Sequence, residues 1–147
     1  MNRPTIVLAE DHPNVAEQLH KLLAAAFDVV DVVGHGEALV KSALRLKPDV
    51  VVTDISMPGM DGIRAAQELV QQIPSLGIVF VTVHDDPALA RKALAIGRGY
   101  VLKTSAGEEL IDAVFAALEA RRFVSKALGP LELLLEGGVR PAQSDRA

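Results

Sequence analysis

The chain has 147 residues, half of them hydrophobic but only 3% aromatic, and a net charge of −4. That length suits one domain with a core of Val, Leu, Ile and Ala. The negative balance disfavours a nucleic-acid surface, and with no cysteine neither a disulfide framework nor a thiolate metal site is available.

The first apolar run, "TIVLA" (5–9), ends in the acids Glu10 and Asp11. It is too short for a signal-peptide core or a membrane span, so a soluble cytoplasmic protein without membrane contact is the default expectation. Pro13 suits the first turn of a helix whose apolar stripe is Val15, Leu19, Leu22 and Leu23. A second strand, "VVDVV" (29–33), precedes a weaker helix marked by Leu39, Ala43 and Leu46. A third, "DVVVT" (49–53), runs directly into Asp54. Beyond "ISMPGM", Asp61 reads as the cap of a helix beginning near Gly62, with Ile63, Ala66, Val70 and Ile73 on one stripe. "GIVFVTV" (77–83) is the fourth strand; Asp86 caps ahead of Pro87, and Leu89, Ala93 and Ile96 mark a weak helix. "YVLK" (100–103) is the fifth. "SAGE" (105–108) reads as a capping box for a helix carrying Ile111, Val114, Phe115 and Leu118.

The β-α alternation thus repeats five times and ends near Arg122, giving a domain over 1–122 and a tail over 123–147. In the tail, Gly129-Pro130 breaks the preceding segment. Leu131, Leu134 and Leu135 fall at i, i+3 and i+4, Glu132 and Glu136 share the other side, and Gly137-Gly138 ends a short helix. Its leucines are expected to cover the domain's own surface or a second subunit's, as in a homodimer, and not DNA. The polar end beyond is expected to be disordered.

Continuously apolar, β-branched runs are expected of strands buried on both faces of a parallel sheet, and the alternation implies a doubly wound α/β fold with right-handed crossovers. The common strand order for five such units is 2-1-3-4-5, with the ligand crevice at the carboxyl ends of strands 1 and 3. Glu10 and Asp11, Asp54, Thr82 and Lys103 stand at the ends of strands 1, 3, 4 and 5, so all five should meet there.

Taken singly, each has an ordinary reading. A strand-end Asp is commonly a cap or a solvated acid, Lys103 a surface lysine and Thr82 a strand residue; Asp54 can be a cap, a metal ligand or a covalent acceptor. Together they say more. Three close carboxylates repel unless a hard divalent cation joins them, and oxygen ligands with retained waters suit Mg²⁺. Lys103 adds a compact positive charge. Such a site is built to hold a phosphoryl group, and its best-placed nucleophile is a carboxylate. The histidines His12, His20, His35 and His84 are scattered and suggest no metal cluster.

The segments "VLAEDHP" (7–13), "VVVTDISMPGMDG" (50–62), "VFVTVHDDP" (79–87) and "GYVLKTSAGEEL" (99–110) together resemble the receiver domain of two-component response regulators, with a NarL/FixJ-type flavour. The resemblance implies the flavodoxin-like (βα)5 fold. It makes Asp54 the phosphoacceptor, with Mg²⁺ held by Glu10, Asp11, Asp54 and the backbone carbonyl of Ser56. Lys103 would contact the phosphoryl group, Thr82 would move to hydrogen-bond it, and Tyr100 would change rotamer with Thr82. The donor would be a sensor histidine kinase or phosphotransfer protein. The chain would catalyse only its own phosphorylation and dephosphorylation, and is not expected to be an enzyme acting on an outside substrate. Ser56 and His84, each two residues beyond a site residue, should border the incoming water and tune the lifetime of the phosphoryl group; the plainer reading is that both are exposed loop residues.

Three features depart from the family pattern. "IGRGY" is one residue short, which puts the loop before Tyr100 in question. Thr104 replaces the proline that often follows the lysine. The segment after Arg122 is too short for a helix-turn-helix domain, so the chain is either a stand-alone receiver or the receiver part of a DNA-binding regulator. A flavin carrier is disfavoured because the acids of "EDHPN" repel phosphate. A phosphatase is disfavoured because Ser56 stands where a second acid is wanted, and a degenerate, partner-binding receiver because the five site residues are complete.

Overall fold

The computed structural model describes residues 2–136. Its apolar runs form strands β1 (Thr5–Ala9), β2 (Asp28–Val33), β3 (Val50–Thr53), β4 (Gly77–Thr82), β5 (Gly99–Leu102) and β6 (Phe123–Val124); β2, at the edge of the sheet, carries Asp28 and Asp31 and is only half-buried. All neighbours pair in parallel, in the order β2-β1-β3-β4-β5-β6. The expected 2-1-3-4-5 order is therefore present, with one strand added after β5.

Helices α1 (Pro13–Ala24) and α5 (Ala106–Leu118) cover one face of the sheet. Helices α2 (Gly36–Leu46), α3 (Gly62–Gln72), α4 (Pro87–Leu94) and α6 (Leu131–Glu136) cover the other. Successive strand residues divide between the two cores. Val51 packs in the layer of Leu39, Ala66 and Ala93, whereas Val50 and Val52 join Leu23, Leu110 and Val114. β3, β4 and β5 are buried along their whole length, and each Val, Leu, Ile or Phe side chain there contributes roughly 1.5–3 kcal/mol.

The expected caps at Asp61 and Asp86 are present: their carboxylates accept from Arg64 N at 2.8 Å and Ala88 N at 3.0 Å. Pro13 and Pro87 open their helices. The capping box at 105–108 is not formed. The chain enters α5 through a 3-10 turn, Lys103–Ser105, which leaves Ser105 at φ −111°, ψ 4° with no side-chain cap bond; an N-cap side chain reaches its amide from an extended backbone instead.

The sheet also continues past the boundary expected at Arg122. Phe123 N donates to Arg98 O at 2.8 Å and Ser125 N to Tyr100 O at 2.9 Å. The fully buried Ser125 hydroxyl accepts from Leu102 N at 2.8 Å and donates to buried Glu109, whose other oxygen accepts from Lys126 N at 3.2 Å. The leucine-rich helix forms at 131–136, as expected, and lies against α4, where Arg91 Nη1 donates to Leu134 O at 3.4 Å. Its buried stripe is narrower than the i, i+3, i+4 pattern. Leu134 is buried and Leu131 packs against the core, but Leu135 is 39% exposed. Leu131 and Leu134 stand one turn apart, so the covered stripe of this six-residue helix is a single turn long. The helix stop at Gly137-Gly138 and the disordered end lie outside the described residues.

Ser125→Ala leaves the Leu102 amide and the Glu109 carboxylate without their buried partner. It is expected to lower stability in urea by about 1–3 kcal/mol, while replacing exposed Lys126 by Ala leaves the midpoint nearly unchanged.

Candidate functional site

Backbone pairing carries two acids to the carboxyl edge of the sheet. Glu10 N continues the ladder by donating to Val33 O at 2.9 Å, and Asp54 N donates to Ala9 O at 3.0 Å. Both side chains turn inward, leaving the residues 3% and 4% exposed. Lys103 reaches between them, its Nζ 2.8 Å from Glu10 Oε1 and 2.8 Å from Asp54 Oδ2. The other Asp54 oxygen accepts from Ile55 N at 2.7 Å and Ser56 N at 3.3 Å. Burial by itself pulls the Lys103 ammonium down, but its hydrogen bonds to Asp54 and Glu10 and their negative charges outweigh that, and its pKa is raised. The lysine therefore stays charged among the acids.

Asp11 completes the acidic group. Asp11 Oδ1 is buried without a hydrogen-bond partner, and Glu10 Oε1 has only the Lys103 ammonium, at 2.8 Å. One donor atom from each of Glu10, Asp11, His12 and Asp54 falls within 4.8 Å of the others. Buried anionic oxygens without donors are expensive to keep, and an oxygen set of this kind fits Mg²⁺. The residues present suit a divalent cation, with Glu10, Asp11 and Asp54 as its side-chain ligands.

His12 was not singled out by the sequence. Its Nδ1 lies 3.1 Å from Glu10 Oε2 and 3.3 Å from Asp11 Oδ1. This histidine clusters with carboxylates. Gly62 is the second residue whose role emerges only in three dimensions. A Cβ there would sit 1.9 Å from the Asp54 carbonyl oxygen, so only glycine lets α3 begin against the backbone of Asp54.

On the far side of Asp54, Thr82 is buried at the end of β4, and its Oγ1 accepts from His84 N at 3.2 Å. Tyr100 is fully buried, and its hydroxyl donates to His84 O at 2.7 Å. Burial, reinforced by the charges of Asp86 and Asp85, pushes the Tyr100 phenol up to about 12. Ser56 Oγ and His84 Nε2 are 2.9 Å apart and bridge the loops after β3 and β4. Ser56 thus turns its amide to Asp54 and its hydroxyl to His84; no described contact places its carbonyl at a ligand position. An apolar groove of about 370 Å³ between α1 and α5, lined by Val15, Leu19, Leu22 and Ala106, opens beside Lys103. A larger cavity lined by Leu76, Leu94, Arg98 and Leu131 lies at the opposite end of the strands and takes no part in this site.

The family model of the response regulator receiver domain matches residues 6–115. The response regulator GacA of Pseudomonas aeruginosa is 32% identical over 143 residues, covering 95% of this chain and 66% of that protein. The transcriptional regulatory protein RcsB of Escherichia coli is 33% identical over 146 residues, covering 94% of this chain and 67% of that one. A LuxR-family two-component response regulator from Aurantimonas has a crystal structure that superposes with a TM-score of 0.86 at 30% identity, over 95% of this chain and all of that one. The isolated receiver domain of Salmonella RcsB with the phosphomimetic BeF3− gives 0.80 at 30% identity, over 92% of this chain and all of that one. The chain spans 53–67% of the lengths of the curated relatives it matches. By the family match and by these likenesses, the chain belongs to the response regulator receiver family, among relatives of the NarL/LuxR type.

Proposed function

We propose that this chain is a phosphorylation-controlled switch of a two-component system, taking a phosphoryl group onto Asp54 from a sensor histidine kinase or phosphotransfer protein. The observation that carries this reading is the Lys103 ammonium held between Asp54 and Glu10, beside the buried Asp11 Oδ1, which has no hydrogen-bond partner. In the transfer, an Asp54 carboxylate oxygen forms the new bond to phosphorus, and the bond to the donor atom breaks with its electron pair leaving on the donor. Mg²⁺, held by Glu10, Asp11, Asp54 and the Ser56 carbonyl, would neutralise charge on the phosphoryl oxygens. Lys103 would then exchange its contact with Asp54 for one with a phosphoryl oxygen. Thr82 would leave the His84 amide for another such oxygen, and Tyr100 would follow by changing rotamer.

The chain on this reading catalyses only its own phosphorylation and dephosphorylation. The groove beside Lys103 offers an apolar seat for the donor protein next to the acceptor. A cytoplasmic setting without direct nucleic-acid or membrane contact fits the acidic balance. Among the described residues no helix is long and apolar enough to cross a membrane. A second reading, the receiver part of a DNA-binding NarL/FixJ-type regulator, is favoured by the partial span of the relatives' lengths. Homodimerisation is compatible with either.

With Mg²⁺ and acetyl phosphate, intact mass is expected to show one added phosphoryl group on the wild-type chain and none on Asp54→Asn. An unchanged adduct in the variant would place the acceptor elsewhere. Ser56→Ala and His84→Ala, which each remove one side of the bridge at the mouth of the site, are expected to change the dephosphorylation rate measured by loss of that adduct. Equal rates in all three proteins would reduce both residues to loop surface.

The Tyr100 shift yields a pH test. The folded state keeps the phenol proton up to about pH 12, whereas the unfolded chain releases it near pH 10. Between those values the folded state binds more protons, so stability falls as pH rises, by at most about 3 kcal/mol. Lys103, also raised, acts in the same direction above its unfolded value but is common to wild type and variant. Tyr100→Phe is therefore expected to show a shallower alkaline loss in urea titrations between these limits, and parallel curves would contradict the assignment.

A further inference from the structure

We propose that His12 makes the acidic pocket a mixed oxygen–nitrogen site, in which its imidazole Nδ1 ligates borderline divalent cations such as Co²⁺ and Zn²⁺ and so sets which metal the pocket prefers. The proposal rests on the reading of Glu10, Asp11 and Asp54 as a cation pocket and adds to it a nitrogen ligand and a metal selectivity.

Three observations support it. The donor atoms of Glu10, Asp11, His12 and Asp54 already lie within 4.8 Å of one another. Ligands bonded to one ion at about 2.0–2.2 Å stand no more than about 4.4 Å apart, so little closure is needed. The Glu10 side chain has no exposure, and beside it Asp11 Oδ1 is buried with no hydrogen-bond partner, so the pocket contains a buried anionic oxygen still open to a ligand. The ring itself is aimed by the backbone. His12 precedes Pro13, which confines it to extended geometry; it adopts φ −92°, ψ 114°, and its N–H donates to Glu10 Oε2 at 3.1 Å. It is the N-cap residue of α1, yet its side chain makes no cap bond; its Nδ1 is turned instead to the carboxylates, 3.1 Å from Glu10 Oε2, a hydrogen bond it would exchange for the ion. With 69% of the side chain exposed, the imidazole would approach the ion from the solvent side, in a position a water ligand would otherwise take.

Cation chemistry then supplies the selectivity. Mg²⁺ is hard, prefers oxygen and keeps its waters, so it gains little from the imidazole. Co²⁺ and Zn²⁺ bind imidazole nitrogen well. The competing explanation is that His12 is only a positive counter-ion to the acids. Its removal would then affect every divalent cation alike.

The test titrates the full 147-residue chain with Mg²⁺, Co²⁺ and Zn²⁺ separately by calorimetry. It also follows the imidazole ¹⁵N resonances as Zn²⁺ is added. His12→Ala is expected to weaken Co²⁺ and Zn²⁺ binding by about tenfold or more, while Mg²⁺ affinity stays within about twofold. The His12 Nδ1 resonance of the wild-type chain should shift with Zn²⁺ occupancy, a readout that does not depend on how the variant folds. Asp11→Asn should weaken all three cations. Parallel changes for the three metals in His12→Ala, or an unmoved Nδ1 resonance with Zn²⁺ bound, would overturn the proposal. If both appear while Mg²⁺ still binds through Asp11, the role of His12 fails and the pocket stands. A wild-type chain that binds none of the three defeats the pocket and the proposal together.

Discussion

The contact on which the site depends is the ammonium of Lys103 placed 2.8 Å from a carboxylate oxygen on each of Glu10 and Asp54. Two almost fully buried acids facing one another would otherwise repel across the crevice with little solvent to screen them, and the ammonium between them offsets that repulsion. The sheet explains why a lysine serves. β5 lies two strands away from β3, a separation of roughly 10 Å at ordinary strand spacing. A long stem rising from the end of β5 spans most of that distance, and its apolar length can lie along the crevice while the charge arrives among the acids. The 3-10 turn that begins at Lys103 belongs to the same solution, since it ends the strand at the residue that must leave the sheet. The missing capping bond at Ser105 is a consequence of that turn.

Much of this was legible in the sequence because it follows from the parallel sheet. "TIVLA", "DVVVT" and "GIVFVTV" have no polar face, so they had to be covered on both sides, and their last residues had to share one edge. Glu10, Asp11, Asp54, Thr82 and Lys103 were found by that reasoning alone. What escaped was of another kind. β6 has two residues, too few for any periodicity, and its place is fixed by Ser125 and Glu109, whose pairing across 16 positions leaves no local trace. Leu135 obeyed the helical spacing but not the burial, because spacing specifies a face and only the neighbour decides how wide a strip of it is covered. His12 has no other histidine at ligand spacing in the sequence, and the acids it joins come together only through the fold. Gly62 stood in the stretch "GMDG" as one more turn residue, and its steric role appears only when α3 is set against the Asp54 carbonyl.

The far side of the site gathers on one residue. His84 donates its N–H to Thr82 Oγ1, accepts the Tyr100 hydroxyl on its carbonyl and meets Ser56 Oγ with its ring. Tyr100 in turn accepts the Ser125 amide on its own carbonyl, and its ring shares a core layer with Ala90 and Ala93 of α4 and Leu134 of α6. Asp54, the loop after β4, the fourth helix and the C-terminal helix are thus joined by hydrogen bonds and packing without a gap. Such continuity is a physical route for coupling, provided some element along it has two arrangements.

In the proposed switch that element is Tyr100, and the energies indicate why it can turn in either direction. Its hydroxyl is satisfied inside by the His84 carbonyl and would be satisfied outside by water, so hydrogen bonding contributes little to the difference. What holds the ring inward is its burial, worth roughly 1.5–3 kcal/mol for a large apolar side chain. What would favour the other state is the bond Thr82 gains when it leaves His84 for a phosphoryl oxygen, a charge-assisted contact worth about 1.5–3 kcal/mol. The first term acts alone before phosphorylation and the second offsets it afterwards, so the phosphoryl group shifts the balance between the two positions of the ring by about 1.5–3 kcal/mol. A phenylalanine at position 100 would keep the apolar term and lose the polar one on both sides. The hydroxyl is therefore not what holds the ring inward; it lets both positions of the ring be tolerated, because a phenol has a partner in each.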